Sequence, residues 1–470
     1  MKILLILPAA DHLRISKDAR AVPKRAMLRF SLLPLTLVAA LTPKEHEVEI
    51  CDENVTPLDF DFDADLVGIS FMTALAPRAY EIAREFRHRG KIVVAGGYHP
   101  TLMIEDTWPN FDAAVVGDAE ILWPQLLKDA ERGCLKRVYR HAVLPDLTHT
   151  PTPRRDLTYM TAGHYATTAA IQVGRGCKHG CRYCSVTAFH GQIYRTRPID
   201  NVLAELRRIE RDFIFVDDNI MADREYAKRL FRAMISMKKN WVSQCSLEIA
   251  DDHELLLLAR KAGCRGLFIG IETTSADNLA AVGKDFNDSH GYLERIAKIR
   301  QQGIAIIAGI IVGMDEDDRS VFSRALCFLQ KAGVDALQLN ILTPLPGTPL
   351  YEDFKRTGRI IDHDWRHYDF RHVVINPAKM TRFELQNGTD WLYSQFYRLD
   401  RIVLRSLRTL LTVGLKPAII AFKLNLTYRY DMIRENIRGD NPLQTDRKLS
   451  APFVLQLVQN LITEVKTIST

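Results

Sequence analysis

Short apolar runs alternate with amphipathic stretches over the first 140 residues of the chain. Such runs are typical of parallel strands, which are covered on both faces. The predicted strands are Ile3–Leu7, Glu47–Cys51, Leu66–Ser70, Ile92–Ala95 and Ala113–Val116. Helix-period patterns separate them at Leu32–Leu41, Ala76–Phe86 and Ile121–Ala130. The alternation predicts an α/β unit, a doubly wound parallel sheet with helices on both faces.

A second series of strand and helix patterns begins at residue 169 and ends near residue 350. Its predicted strands are Ala169–Val173, Phe213–Val216, Val242–Leu247, Leu267–Ile271, Ile304–Val312 and Ala336–Ile341. Six strand–helix repeats suit a partial (β/α)6 barrel, whose functional side chains stand at the carboxyl ends of the strands.

These patterns predict four segments along the chain. The predicted segments are a first domain at 1–143, a linker at 144–165, a barrel at 166–375 and a helical C-terminal region at 376–470. The stretch Pro145–Asp156 contains three prolines and no apolar periodicity, so we expect an extended connector there.

Composition and charge narrow the class of protein. The 470 residues are 47% apolar and 26% charged, which excludes a disordered or fibrous chain. No apolar run reaches the roughly 18 residues that a membrane span needs, and the run Lys2–Leu7 is too short for a signal peptide. The net charge of +6 is too small to imply a nucleic-acid partner. We expect a cytoplasmic enzyme.

Three of the eight cysteines fall within the segment Cys177-Lys-His-Gly-Cys181-Arg-Tyr-Cys184. This clustering predicts a metal site in a reducing compartment. Three thiolates at this spacing can bind three irons of a [4Fe–4S] cluster and leave the fourth iron open to another ligand. A structural zinc site, with His179 or His190 as fourth ligand, is the alternative. The other five cysteines are predicted core residues: Cys51, Cys134, Cys245, Cys264 and Cys327.

The spacing Cys-x-x-x-Cys-x-aromatic-Cys, with Tyr183 at the aromatic position, resembles the hallmark of the radical-SAM superfamily. The resemblance implies that S-adenosylmethionine chelates the open iron and is cleaved to a 5′-deoxyadenosyl radical. It also implies an electron donor such as flavodoxin or ferredoxin. The implied S-adenosylmethionine contacts are Tyr183, Asp217, Asp218, Glu248, Glu272, Gly309 and Gly313. For Glu248 and Glu272, capping of the following helix is the alternative.

Residues after the strands of the first unit are similar to those of the cobalamin-binding domain that precedes many radical-SAM domains. The matching segments are Ser70-Phe-Met72, Gly96-Gly97-Tyr-His-Pro-Thr and Val116-Gly117-Asp-Ala-Glu120. The implied cobalamin contacts are Ser70, Met72, Gly96, Gly97 and Gly117. The Asp-x-His-x-x-Gly signature is missing, because Asp11 and His12 are adjacent, so the resemblance supplies no histidine ligand to cobalt.

Two basic stretches complete the sequence. Between Arg398 and Arg438, nine Lys or Arg residues against three Asp or Glu are interleaved with aliphatic residues. This pattern is typical of an interfacial helix in peripheral contact with a membrane, or of a packed helix with a solvated basic face. Pro417 is expected to break the run. The stretch Lys17–Arg29, after the first strand, could cover a cofactor or contact an acidic substrate.

The chain as a whole resembles cobalamin-dependent radical-SAM C-methylases of bacteriochlorophyll and hopanoid biosynthesis. The resemblance implies methylation of an unactivated carbon on a large hydrophobic ring, with a chlorin or bacteriochlorophyll precursor ranked above a hopanoid. Two alternatives stay open. One is a cobalamin-dependent oxidative cyclase of tetrapyrrole synthesis, and the other is a non-catalytic iron–sulfur protein for electron transfer or sensing.

Overall fold

The computed structural model describes residues 1–11, 13–14, 33–165 and 167–434. His12, the basic stretch Lys17–Arg29 and the last 36 residues of the C-terminal region lie outside the described residues.

The first unit is a six-stranded parallel sheet. Its strands are β1 Lys2–Leu7, β2 Glu47–Asp52, β3 Leu66–Ser70, β4 Ile92–Gly96, β5 Ala113–Val116 and β6 Val138–Arg140. Its helices are α1 Leu33–Leu41, α2 Ala76–His88, α3 Tyr98–Leu102, α4 Ile104–Thr107 and α5 Leu122–Glu131. The five predicted strands are confirmed to within one residue at each end. The three-residue strand β6 was not predicted, because it is too short to show a period.

Alternate residues of β1 enter two different cores. Leu4 and Ile6 pack in one apolar cluster, whereas Ile3 and Leu5 pack in the other. Side chains of a strand alternate between its faces, so helices must cover both faces of this sheet. The strand order β2-β1-β3-β4-β5-β6 reverses direction at β1. Ligands of such sheets bind at the carboxyl ends of the strands on either side of that reversal, here β1 and β3.

The second unit is a six-stranded parallel sheet preceding a helical region. Its strands are β7 Ala170–Ile171, β10 Asp212–Phe215, β11 Asn240–Cys245, β12 Cys264–Glu272, β13 Ala305–Val312 and β14 Ala336–Ile341. A separate antiparallel ribbon pairs β8 Gly174–Gly176 with β9 Tyr194–Thr196. The helices are α6 Ser185–His190, α7 Ile199–Leu206, α8 Arg224–Met234, α9 His253–Lys261, α10 Ala276–Ala281, α11 Tyr292–Gln301, α12 Val321–Ala332 and α13 Pro349–Arg356.

Strands of the second sheet follow one another in chain order, β7-β10-β11-β12-β13-β14. This order confirms the predicted partial (β/α)6 barrel. The first predicted strand, Ala169–Val173, is shorter than expected because the chain leaves the sheet after Ile171. The predicted strand Val242–Leu247 ends at Cys245, and Leu247–Asp251 forms a 3₁₀ helix.

Short 3₁₀ helices occupy several connections. They cover Thr73–Leu75, Trp108–Asn110, Arg155–His164, Ile235–Met237, Leu247–Asp251, Ser289–Gly291 and Trp365–His367. The connector between the units contains a turn at Leu147–Thr150 and ends in the 3₁₀ helix Arg155–His164, which corrects the expectation of an extended segment there. Pro153 is the last proline of the connector, so no proline prevents the residues after it from forming a helix.

Up to Arg434, where the described residues end, the C-terminal region is helical as predicted, with α14 Arg382–Phe396, α15 Leu399–Thr412 and α16 Leu415–Arg434. The break between α15 and α16 lies at Gly414, whose φ is 120°. It was expected at Pro417, but a proline in the first turn of a helix needs no amide donor and is tolerated there. Within the described ranges, no helix combines the length and apolar character needed to cross a bilayer.

Candidate active site

The three clustered cysteines lie on the loop between β8 and α6, called the cysteine loop below (residues 177–184). Gly176 enters this loop with a φ of 89°, and a Cβ there would strike the carbonyl oxygen of Ile193. Only glycine lets the ribbon close at this point. Cys184 is the N-cap residue of α6, and its amide donates to the Cys181 carbonyl at 3.1 Å. The ribbon and the helix thus fix both ends of the loop.

The thiols of the cysteine loop are largely shielded from water. Cys181 is buried, and Cys177 and Cys184 are partly buried. Burial raises the pKa of Cys181 to about 12 and also raises the pKa of Cys177 and of Cys184. Because thiolates are the metal ligands, binding of iron here must displace protons. The Lys284 ammonium opposes the rise in the pKa of Cys177 and Cys181.

Both histidines considered as zinc ligands are bonded to other groups. His179 Nε2 lies 3.2 Å from Glu248 Oε2, and its ring stacks on Phe286 with centroids 3.7 Å apart. His190 Nδ1 lies 3.1 Å from a guanidinium nitrogen of Arg195. The described part of the chain brings no three His, Cys, Asp or Glu side chains together around one metal position. A cubane takes one thiolate per iron, so three separate cysteines fit it by their chemistry.

Asp217 and Asp218 follow β10 and accept hydrogen bonds from the strand that leads into the cysteine loop. Asp217 accepts the amides of Val173, at 3.1 Å, and Gly174, at 2.6 Å. Asp218 Oδ2 lies 3.4 Å from the Gly176 amide. Burial raises the pKa of Asp217 to about 7 and that of Asp218 to about 6. Asp217 therefore draws the chain out of the sheet after β7, and its contact with S-adenosylmethionine stays a prediction.

Glu272 ends β12 with a φ of 65°, a conformation that L residues rarely adopt. Its Oε1 accepts a hydrogen bond from the Tyr183 hydroxyl at 3.0 Å and lies 2.6 Å from Lys284 Nζ. Strained backbone of this kind is concentrated at functional sites. Lys284 was missed by the sequence analysis, since it stands in a loop without a motif. Its burial, at 8% exposure, is visible only in the structure.

The three other predicted S-adenosylmethionine contacts have partners within the protein. Glu248 lies in the 3₁₀ helix after β11 and pairs with His179 and with Arg224, 3.3 Å away. A Cβ on Gly309 would lie 2.9 Å from the Phe268 ring, and one on Gly313 would lie 2.7 Å from Leu385. Packing alone explains both glycines, so their roles in binding stay predictions.

Open space marks the carboxyl edge of the first sheet. Met72, the second residue after β3, is 62% exposed. A Cβ on Gly96, the last residue of β4, or on Gly117, which follows β5, would meet no heavy atom within 4 Å. This edge offers backbone that a large flat ligand can approach closely.

Ser70 and Gly97 lie at the same edge but do not face open space, because they pack against each other. Gly97 has a φ of 103°, and a Cβ there would lie 2.7 Å from the Phe71 carbonyl oxygen and 3.1 Å from Ser70 Oγ. Phe71 is buried, in a stack with Phe111 whose centroids are 5.8 Å apart. The pair shapes the turn that exposes Met72, and direct contact with cobalamin stays a prediction for both residues.

The carboxyl edges of the two sheets face each other. Tyr98, after β4, packs on Phe189 of α6 with ring centroids 4.7 Å apart. The Trp365 indole, beyond the barrel, donates to Asp106 of α4 at 3.1 Å. The helix after the glycine edge of the first sheet and the helix after the cysteine loop are therefore in contact.

The remaining cysteines divide into two groups. Cys51, Cys245 and Cys264 are buried as predicted. Cys134 and Cys327 are exposed, which corrects the prediction for them, since an apolar sequence context does not fix which face of an element a residue occupies.

Comparisons with known proteins match part of each sheet. A family model described as Radical SAM superfamily matches residues 171–327, and one described as B12 binding domain matches residues 30–127. The Bacteriochlorophyllide d C-12(1)-methyltransferase of Chlorobaculum tepidum is 30% identical over 384 residues, which are 79% of this chain and 82% of that protein. The Hopanoid C-2 methylase of Rhodopseudomonas palustris is 30% identical over 350 residues, 71% and 66% of the two chains.

A solved structure shares the fold. It is the radical S-adenosylmethionine methyltransferase TsrM from Kitasatospora setae with cobalamin and a [4Fe–4S] cluster bound. The TM-score is 0.59 at 15% identity, with 77% of this chain and 78% of that chain covered.

Proposed function

We propose that this protein methylates a carbon atom of a ring-shaped substrate. The chain belongs to the cobalamin-dependent radical SAM methyltransferase family. Family membership confirms the predicted enzyme class and the predicted cofactors: a [4Fe–4S] cluster, S-adenosylmethionine and cobalamin. The substrate is a small molecule. We infer that it is a large hydrophobic ring, a chlorin or bacteriochlorophyll precursor ahead of a hopanoid, methylated at an unactivated carbon. The observation that carries this choice is coverage, because at the same 30% identity the match spans 82% of the bacteriochlorophyllide methyltransferase and 66% of the hopanoid methylase.

When bound, the cluster and S-adenosylmethionine supply a 5′-deoxyadenosyl radical, and cobalamin supplies a methyl group. Cys177, Cys181 and Cys184 would hold the cluster. Asp217 fixes the backbone that enters the cysteine loop, through the two amides it accepts. Glu272, held by the Lys284 ammonium, is the proposed acceptor for the amine or ribose of S-adenosylmethionine.

The proposed cobalamin site is the open carboxyl edge of the first sheet. Gly96 and Gly117 leave room for a large ring to approach the backbone, and exposed Met72 would lie against its face. Facing sheets would then close around the substrate and exclude water from it.

We infer further a low-potential electron donor, such as flavodoxin or ferredoxin, and a cytoplasmic location with peripheral membrane contact. Support for the contact comes from α15 and α16, where Leu411 and Leu415 are 67% and 63% exposed. Exposed Lys423 follows on α16. Apolar and basic side chains side by side are typical of helices that lie on a membrane surface.

The substrate proposal is tested with anaerobically prepared protein loaded with iron, sulfide and cobalamin. The protein is incubated with S-adenosylmethionine, dithionite and bacteriochlorophyllide d, with a hopanoid as the parallel substrate. We expect 5′-deoxyadenosine and a tetrapyrrole heavier by one CH₂. An oxygenated ring would overturn the proposal in favour of the cyclase, and absence of 5′-deoxyadenosine would favour an electron-transfer protein.

A further inference from the structure

A buried network of two carboxylates and two guanidinium groups joins the two units. Asp118 and Glu120 lie in the loop after β5, Arg175 lies in β8 and Arg195 in β9. The side chains of all four are at most 12% exposed. Four charged groups buried together at one interface form a costly arrangement unless their geometry is fixed.

Arg175 is the centre of this network. Its two terminal nitrogens lie 2.9 Å from Asp118 Oδ1 and 2.5 Å from Glu120 Oε1. Its Nε donates to Gln172 Oε1 at 2.9 Å, so the whole guanidinium plane is held. Arg195 completes the network as an ion pair, 2.7 Å from Asp118 Oδ2. Two arms of one planar fork, each on a different carboxylate, define an orientation as well as a contact.

The network connects segments that adjoin the two proposed cofactor sites. Asp118 directly follows Gly117, one of the predicted cobalamin contacts. Arg175 stands two residues before Cys177, the first predicted cluster ligand. A displacement at either end of the Asp118–Arg175 pair is therefore passed to a cofactor site through one or two residues.

Energetics favour a geometric role over a stabilising one. Desolvation offsets most of the attraction within a buried ion pair, so such pairs add little net stability, although removing one partner leaves the other charge buried and unpaired. An apolar interface of equal size would hold the units together but would let them slide. The fork of Arg175 permits one arrangement only.

We propose that Arg175 is a positioning residue that, through Asp118 and Glu120, sets the separation between the cluster and the cobalamin. This inference rests on the proposed assignment of the two cofactor sites. Hydrogen removal and methyl delivery must meet at one substrate carbon. Misplacement by about 1 Å can cost a reaction of this kind about a hundredfold. Arg175 acts on both groups only through the loops that it ties together.

The test uses full-length protein loaded with both cofactors and needs no substrate. Cob(II)alamin and the reduced cluster are both paramagnetic, so their magnetic interaction in an electron paramagnetic resonance spectrum reports their separation. We expect one defined interaction in the wild type and a shifted or broadened one in Arg175→Met. Arg175→Lys keeps the charge but lacks the fork, so it should restore the interaction in part.

Arg300→Met is the matched control. Arg300 is equally buried and lies 2.5 Å from buried Asp335, at the amino-terminal end of the barrel. The control loses a buried ion pair of the same kind but should keep the wild-type interaction. If Arg175→Met fails to take up cofactors, Glu120→Leu removes the acceptor from one arm of the fork at similar size. A shifted or broadened interaction is expected in Glu120→Leu, and the wild-type interaction there would overturn the inference.

A second readout uses bacteriochlorophyllide d. If hydrogen removal is uncoupled from methyl delivery in Arg175→Met, the ratio of 5′-deoxyadenosine to methylated ring should rise about tenfold or more. The ratio should stay unchanged in Arg300→Met. A wild-type magnetic interaction and ratio in loaded Arg175→Met would overturn this inference alone. Absence of cobalamin or cluster from the wild-type protein would overturn the proposed sites instead.

Discussion

The carboxyl edges of the two sheets are built in opposite ways. At the barrel edge, polar side chains are bound to neighbours: Asp217 to two amides, Glu248 to His179 and Arg224, and Glu272 to Tyr183 and Lys284. At the edge of the first sheet, two glycines and an exposed methionine leave open space. One edge positions chemical groups, whereas the other provides a surface.

This difference follows from what each edge is proposed to hold. A cluster and the polar end of S-adenosylmethionine need ligands at fixed points, and fixed side chains supply them without reorganisation. A corrin is a broad ring, which needs unobstructed backbone more than it needs directed groups. Deleting atoms should therefore damage the barrel edge, and adding atoms should damage the edge of the first sheet.

The largest expected effect is at the barrel edge, in Cys181→Ala. Removing one of three thiolates should prevent stable cluster assembly, so iron content and 5′-deoxyadenosine formation should both fall to background. Cys327→Ala is the matched control, because Cys327 is exposed on α12 and should leave both quantities unchanged. Full 5′-deoxyadenosine formation by Cys181→Ala would contradict the cluster assignment.

Adding atoms to the first sheet tests the other half of the comparison. In Gly96→Val the new Cβ meets no heavy atom within 4 Å, so the thermal midpoint should stay near the wild type. Its methyl groups would fill the proposed corrin space, and overpacking of about 1–3 kcal/mol should weaken cobalamin binding about tenfold or more. The measurement is cobalt content and the visible spectrum after loading.

Gly163→Val controls for the valine itself, since Gly163 is also unobstructed but lies in the connector. It should bind cobalamin as the wild type does. Wild-type cobalamin binding by Gly96→Val would show that the open edge is not the corrin site. An unaltered cluster content in both variants would show that the loss of cobalamin binding does not arise from damage to the barrel edge.

Local patterns explain why much of this architecture was predictable. The apolar residues of strands and helices recur with periods of two and 3.6 residues, and the three clustered cysteines lie within eight residues. Both sheets and the cysteine loop therefore follow from the sequence. The short β7 does not, because the Asp217 carboxylate that shortens it stands more than 40 residues later.

Long-range pairs account for the rest. Lys284 meets Glu272 only after α10 has turned the chain back, and Arg175 meets Asp118 only when the two sheets face each other. A single lysine or arginine forms no periodic pattern or motif, so the sequence does not indicate which carboxylate it will pair with. The charged residues that hold the two edges in place were thus the part that required the structure.

The smallest effect is expected where the two edges meet, at His190. This residue ends α6, is 6% exposed and is flanked by Arg195, Arg175 and Asp118. Burial, with the two arginines, lowers the pKa of His190 to about 4, against the opposing pull of Asp118. The folded protein therefore holds a neutral imidazole, whereas a histidine in the unfolded chain is protonated below about pH 6.5.

Because the pKa of His190 is lower in the folded than in the unfolded state, its contribution to the free energy of unfolding is complete above about pH 6.5. That contribution is progressively lost as the pH falls towards 4. The loss is at most about 3 kcal/mol. In the cofactor-free protein, the thermal midpoint should fall between pH 7 and 4.5 by more in the wild type than in His190→Gln, which cannot be protonated. His290→Gln removes a histidine whose side chain is 91% exposed and should behave as the wild type. Identical profiles for the wild type and His190→Gln would mean that the junction admits a charged imidazole, and that the contact between the two edges is looser than the buried Arg175 network requires.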